Sequence, residues 1–127
     1  MTIQRQTKQL EAIRQAFQVA KRPLSIDEIH QIGQTLVPSL GLRTVYRCVS
    51  RLEAEGEVAR VAIPGNRDRY ELASVADVHH HHFHCSKCDR YFDVFGCPGG
   101  LSKIVPPGFN LQSHELTLIG LCDSCCQ

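Results

Sequence analysis

Residues 42–72 read LRTVYRCVSRLEAEGEVARVAIPGNRDRYEL, and the period of the apolar positions changes partway along. From Leu42 to about Glu55, Leu42, Val45, Val49 and Leu52 recur at helical spacing, which predicts a helix with that face turned inward. Gly56 then stands where a helix commonly ends in a left-handed residue. The opposite face carries Arg43, Thr44, Arg47, Ser50 and Arg51. Beyond it, two short runs flank Pro64-Gly65-Asn66 and predict a β-hairpin, with Arg67 and Arg69 just past the turn.

Working upstream, Leu10, Ile13, Phe17 and Ala20 predict a helix over 6–20 that Pro23 ends. Ser25 with Glu28 three positions on is a capping box, in which each side chain satisfies a backbone N–H of the other residue. It opens a second helix with Ile26, Ile29 and Ile32 on its apolar side, closed by Pro38. Three helices and a hairpin form the winged-helix plan, whose third helix enters the DNA major groove. Arg43 and Arg47 are then candidates for phosphates or guanine edges, Thr44 for a phosphate, and Tyr46 for base methyls or backbone. Arg67 and Arg69 are candidate phosphate contacts from the wing, whereas Arg51 and Arg60 read as surface charges. The charge distribution agrees in sign. Residues 1–70 hold 11 Lys/Arg against 7 Asp/Glu, while residues 71–127 hold 3 against 6.

Downstream the composition shifts. Residues 78–88, VHHHHFHCSKC, crowd five histidines and two cysteines together after SVAD (74–77), which reads as a hinge. Cys85-x-x-Cys88 and Cys122-x-x-Cys125 are matched thiolate pairs, the spacing that completes a closed tetrahedral zinc shell. Cys126 is an adjacent alternative ligand, and Cys48 reads as a small core residue. If residues 78–85 form a strand, His80, His82 and His84 face one way, and His79, His81 and Phe83 the other. The run can therefore serve two metal sites on opposite faces but not one. Asp93, Glu71 and His114 are completing ligands from elsewhere, and imidazole suits zinc, iron, nickel or copper. His84 and His30 read as ordinary polar residues. Tyr91–Phe95 predicts paired strands, Leu101–Val105 a short helix, and LTLIGLC (116–122) a buried strand. So small an α+β unit needs metal, a partner chain, or both. The chain carries no apolar run of membrane-spanning length and no signal-peptide pattern at MTIQRQTKQL, which predicts a cytoplasmic protein.

The segments RTVYRCVSRLEAEG, HHHHFHCSKC and HELTLIGLCDSC together resemble the ferric uptake regulator family of metal-dependent repressors. The resemblance implies an α+β homodimer: a winged-helix DNA-binding domain (1–73), a hinge (74–77), and a dimerisation and metal-binding domain (78–127). Metal bound at the hinge would close the reading heads on palindromic operator DNA. Carried over by position, Cys85, Cys88, Cys122 and Cys125 would hold structural zinc. Glu71, His80, His82 and Asp93 would form the sensing site, and His79, His81 and His114 a second site. The family's acidic residue of that second site falls at Gly100, which leaves the site incomplete or dependent on a group such as Cys97. Pro23 stands where iron-sensing members carry a histidine, and His81 replaces the aspartate usual between the sensing histidines. Both changes resemble the zinc uptake regulator branch, so the expected signal is Zn²⁺, with Fe²⁺ or Mn²⁺ as alternatives. An iron- or peroxide-responsive regulator is the rival within the family. A zinc store or metallochaperone is the rival outside it, and no pocket-forming motif points to an enzyme.

Overall fold

The capping box explains where the second helix begins. Glu28 N–H donates to Ser25 Oγ and Ser25 N–H to Glu28 Oε1, both at 3.2 Å. The structure, a computed structural model, describes residues 3–127, with side chains from residue 6 onward. Its first half contains α1 (Ile3–Ala20), α2 (Ile26–Gln34), α3 (Leu42–Ala54), β1 (Val58–Val61), β2 (Arg69–Leu72) and α4 (Ala73–Ala76). Leu10, Ile13 and Phe17 of α1, Ile29 of α2, and Val45, Val49 and Leu52 of α3 bury one common core with Leu24, Leu40, Val58 and Tyr70. α2 sits close to the loop that follows it, since a Cβ on Gly33 would lie 2.6 Å from Leu40 Cδ2. Gly56 takes φ +78° after α3, a conformation that side chains resist. β1 and β2 pair antiparallel, Val58 opposite Leu72. Leu24 then bonds both ways with Tyr70 at 2.8 Å, pinning the α1–α2 connection to the wing.

One expectation for this half changes. Leu42 is 40 % exposed, because it occupies the first turn of α3, before the helix reaches the core. Residues 74–77, read as a hinge, are largely helical. α4 takes up 73–76, and Asp77 N–H bonds Ala73 O at 2.9 Å.

The chain divides into two compact units between Val78 and His79. The second contains β3 (His81–Cys85), β4 (Tyr91–Val94), a 3₁₀ turn (Leu101–Lys103) and β5 (Thr117–Gly120). β3 is central, antiparallel to β4 and parallel to β5. The buried apolar residues of this unit are Cys85, Tyr91 and Cys122, a core too small to stabilise it by burial alone. β5 forms as expected but is not buried: Ile119 is 73 % exposed and Leu118 43 %, and β5 is an outer strand of its sheet. Among the described residues no helix is long and apolar enough to cross a membrane.

Candidate metal centres and nucleic-acid interface

β3 places three groups of donors. Its C-terminal residue, Cys85, is followed by a turn in which Asp89 adopts φ 63° and its N–H bonds Cys85 O at 2.9 Å, bringing Cys88 back beneath the strand. Because β5 runs parallel to β3 with Gly120 beside Cys85, Cys122 emerges at the same end. The four sulfurs of Cys85, Cys88, Cys122 and Cys125 lie within 4.8 Å of one another. Cys88 Sγ and Cys122 Sγ are 3.8 Å apart, matching the roughly 3.8 Å edge of a tetrahedron with the ~2.3 Å arms of a zinc–thiolate shell. The amides of Cys88 and Cys122 donate to Cys85 Sγ at 3.5 and 3.4 Å. The Cys88 amide above all favours the thiolate and lowers Cys85 to about 6. The adjoining Cys122 thiol pushes Cys125 up to about 12. Burial raises Cys88 as well; a bound dication would stabilise the sulfurs of such a group as anions. Cys126 lies outside this group, exposed, with Sγ 3.7 Å from Asp123 O.

The histidine run divides by strand alternation. His82 stands opposite Asp93 in the β3–β4 register, so the two share a face. His80 lies on that face as well. His80 Nε2 and His82 Nε2 approach the same Asp93 Oδ1 at 3.4 and 3.5 Å, with the Asp93 and His80 side chains both under a tenth exposed. These separations match the roughly 3.4 Å edge of a four-coordinate shell with ~2.1 Å arms. Glu71 is in β2, buried, and opposite Ala59 in the hairpin register.

His79 and His81 face the other way. Extending the β3–β5 register back from His82 and Thr117 brings His114 level with His79, and the three imidazoles meet. His114 Nε2 is 3.2 Å from His81 Nε2 and 3.2 Å from Cys97 Sγ. Burial, then the neighbouring His79 and His114, lowers His81, favouring the neutral ring that a metal requires. The sequence left the fourth member of this group open; the geometry brings Cys97 into it. His84 joins neither set. It stacks on Tyr91 at 4.5 Å and meets Asp89 Oδ1 at 2.7 Å. His30 Nε2 contacts Leu40 O at 2.9 Å.

On the winged helix, most described arginines are engaged by carboxylates. Arg14 binds Glu57, Arg22 binds Glu28, Arg51 binds Glu55, and Arg60 binds Glu53 and Asp68. Arg43 and Arg47 on α3 are exposed and make no ion pair among the described residues; Thr44 and Tyr46 lie beside them, Tyr46 54 % exposed. Arg67 is exposed at the wing and paired with Asp27 of α2. Arg69, expected as a wing phosphate contact, is instead 2 % exposed. As the first residue of β2, it turns its guanidinium inward, where Nη1 donates to Arg67 O at 2.5 Å and Nε lies 3.9 Å from Glu28 Oε1. Arg69→Ala should therefore lower thermal stability, by an order of 2–3 kcal/mol from the lost partner and packing, while operator affinity of the folded fraction stays near parent. A calorimetric melt alongside DNA titration checks both halves of that expectation.

Comparison with known proteins agrees with this architecture. The model of the Ferric uptake regulator family matches residues 2–119. The chain is 32% identical over 119 residues to the ferric uptake regulation protein of Cupriavidus metallidurans, covering 89% of this chain and 82% of that protein. It is similar to the crystal structure of the Vibrio cholerae ferric uptake regulator, at 25% identity and TM-score 0.63, covering 96% of this chain and 91% of that one. It is also similar to FurB from M. tuberculosis, described as a zinc uptake regulator, at 25% identity and TM-score 0.53, covering 98% and 97%. With the winged helix, the four-cysteine group and the divided histidine run in place, the chain belongs to the ferric uptake regulator family, whose members are metal-responsive transcription regulators.

Proposed function

We propose that this chain is a zinc-responsive homodimeric repressor that grips palindromic operator DNA through α3 and the wing. The observation that carries the reading is the convergence of His80 and His82 on Asp93; on the winged helix, Arg43 and Arg47 of α3 are not engaged by carboxylates among the described residues. Glu71 is kept, on the resemblance alone, as the ligand from the winged-helix half. Ligands drawn from both halves would make coordination fix their mutual angle. Metal then favours operator binding only insofar as it binds the closed dimer more tightly than the open one. The exposed apolar residues Leu118 and Ile119 of the outer strand β5, with Leu121 just beyond it, support a second copy as its partner.

Zinc rather than iron is favoured by the imidazole-rich donor set and by His81, which stands where the resemblance calls for an aspartate. The similarity to FurB, described as a zinc uptake regulator, points the same way. An iron- or peroxide-responsive regulator is the second reading, favoured by the Asp93 carboxylate between two imidazoles. Operator binding under buffered metals at one fixed salt concentration separates them. Zinc should activate at far lower free concentration than Fe²⁺ or Mn²⁺, and the reverse order would overturn the zinc assignment. Metal uptake with no sequence-specific DNA binding would point to a store or metallochaperone instead.

Arg47→Ala should weaken operator binding by about 1–3 kcal/mol, the scale of one good bidentate base contact. Arg51→Ala, whose side chain already pairs with Glu55 at 3.1 Å, should change it far less. Fluorescence anisotropy of both variants on one labelled operator measures the contrast.

A further inference from the structure

We infer that Cys97 is the fourth ligand of the His79–His81–His114 group, making a three-imidazole, one-thiolate site for a borderline cation of the zinc class rather than for hard Mn²⁺. The inference goes beyond the zinc-repressor reading and stands whether or not operator binding answers to zinc.

Three observations converge. One donor atom from each of His79, His81, Cys97 and His114 falls within 4.8 Å of the others, with Cys97 Sγ and His81 Nε2 each 3.2 Å from His114 Nε2. The donors come from separate segments: the entry to β3, the irregular Cys97-Pro98-Gly99-Gly100 segment after β4, and the approach to β5. Sheet register aligns the histidines, and Gly100 at φ +79° leads the Cys97 segment into the 3₁₀ turn. Gly100 also occupies the position where the resemblance calls for an acidic ligand, and it has no side chain to coordinate with. A carboxylate is thus exchanged for a thiol three residues earlier. That exchange fixes the class of cation. Thiolate and imidazole donors select zinc, cobalt or copper, whereas Mn²⁺ prefers carboxylate, carbonyl and water oxygens. Four donors from side chains also suit a closed tetrahedron better than an octahedral shell. Binding would displace the Cys97 thiol proton to solvent, with the sulfur remaining in its reduced state throughout.

Cobalt provides a direct readout, because a thiolate bound to Co²⁺ gives an intense near-ultraviolet charge-transfer band and imidazole or carboxylate ligands do not. The full-length protein is prepared with zinc retained in the four-cysteine group, checked by metal analysis, and titrated with Co²⁺. A thiolate–cobalt band should grow to saturation. It should survive in His80→Ala/His82→Ala and vanish in both Cys97→Ser and His114→Ala. Zinc should bleach the band, while Mn²⁺ in excess should leave it in place. Zinc affinity at this site in Cys97→Ser should fall by more than the roughly 10–100-fold that outer-shell changes cost. Should Cys97→Ser fold poorly, Cys97→Asp supplies the same test: the visible cobalt bands should remain and the thiolate band should be absent. No thiolate band in the parent, or an unchanged band in Cys97→Ser or Cys97→Asp, overturns the inference. Displacement by Mn²⁺ overturns the cation class. None of these outcomes touches the operator-binding experiment, so the two readings fail separately.

Discussion

Cys85→Ser is expected to unfold the second unit while the winged helix keeps its own helical signal. The unit's buried apolar residues are Cys85, Tyr91 and Cys122, and two of those three are proposed ligands. Burial on that scale stabilises a fold by very little, whereas a structural zinc contributes roughly 10–16 kcal/mol of apparent binding energy in small zinc domains. That is of the same order as the ~5–15 kcal/mol net stability of a typical domain. Replacing the sulfur that accepts the Cys88 and Cys122 amides also exchanges an acceptor readily held as a thiolate for a neutral hydroxyl. Expected results are loss of one tightly held zinc per chain, a lower-temperature or broadened melt by circular dichroism, and elution as monomer or aggregate. A melt and an elution profile identical to the parent's would remove the structural-zinc assignment.

The double variant His80→Ala/His82→Ala is expected to behave in the opposite way: intact fold, intact dimer, lost response. Coupling between effector and ligand in allosteric proteins is typically about 1–3 kcal/mol, or 5–150-fold in affinity. The variant should lose that whole increment and bind operator equally with and without zinc. Its four-cysteine group is untouched, so tightly held zinc should remain near parent level. Anisotropy titrations with zinc and with chelator give the increment directly. A parental increment in the variant would place sensing elsewhere, with His79, His81, Cys97 and His114 the next group to test.

How much of this was legible beforehand depended on the range of each signal. Helical spacing in α1–α3, the Ser25–Glu28 box and the Gly56 stop are local, and the structure forms them where the residues indicate. The alternation of the histidine run is also local, which is why its division between two faces could be read without knowing what either face meets. Arg69 was misread because a cation after a turn looks the same from the sequence whether its β-strand position faces in or out. The facing was set by Glu28, forty-one residues earlier, and by the pairing of Tyr70 with Leu24. β5 was misread in the opposite sense: an apolar run predicts burial, but a single chain can leave that surface for another to cover. Cys97 could be named only as an option, since the return of residues 95–116 across the sheet depends on turns with no periodic signal.

The uninterrupted histidine run has a consequence for tolerance to insertion. Anchored by Cys85, the strand would shift by one place if a residue were added after His82, and every side chain upstream would change face. In an alternating sequence such an error exchanges ligands for non-ligands. Here His80, His81 and His82 would move into the places left by His79, His80 and His81, and only the place nearest Phe83 would lose its imidazole. Repeating one residue type thus keeps both imidazoles of the His79/His81 face through a frame error of one step and costs the opposite face one of its two, a robustness that a mixed set of ligands would lack.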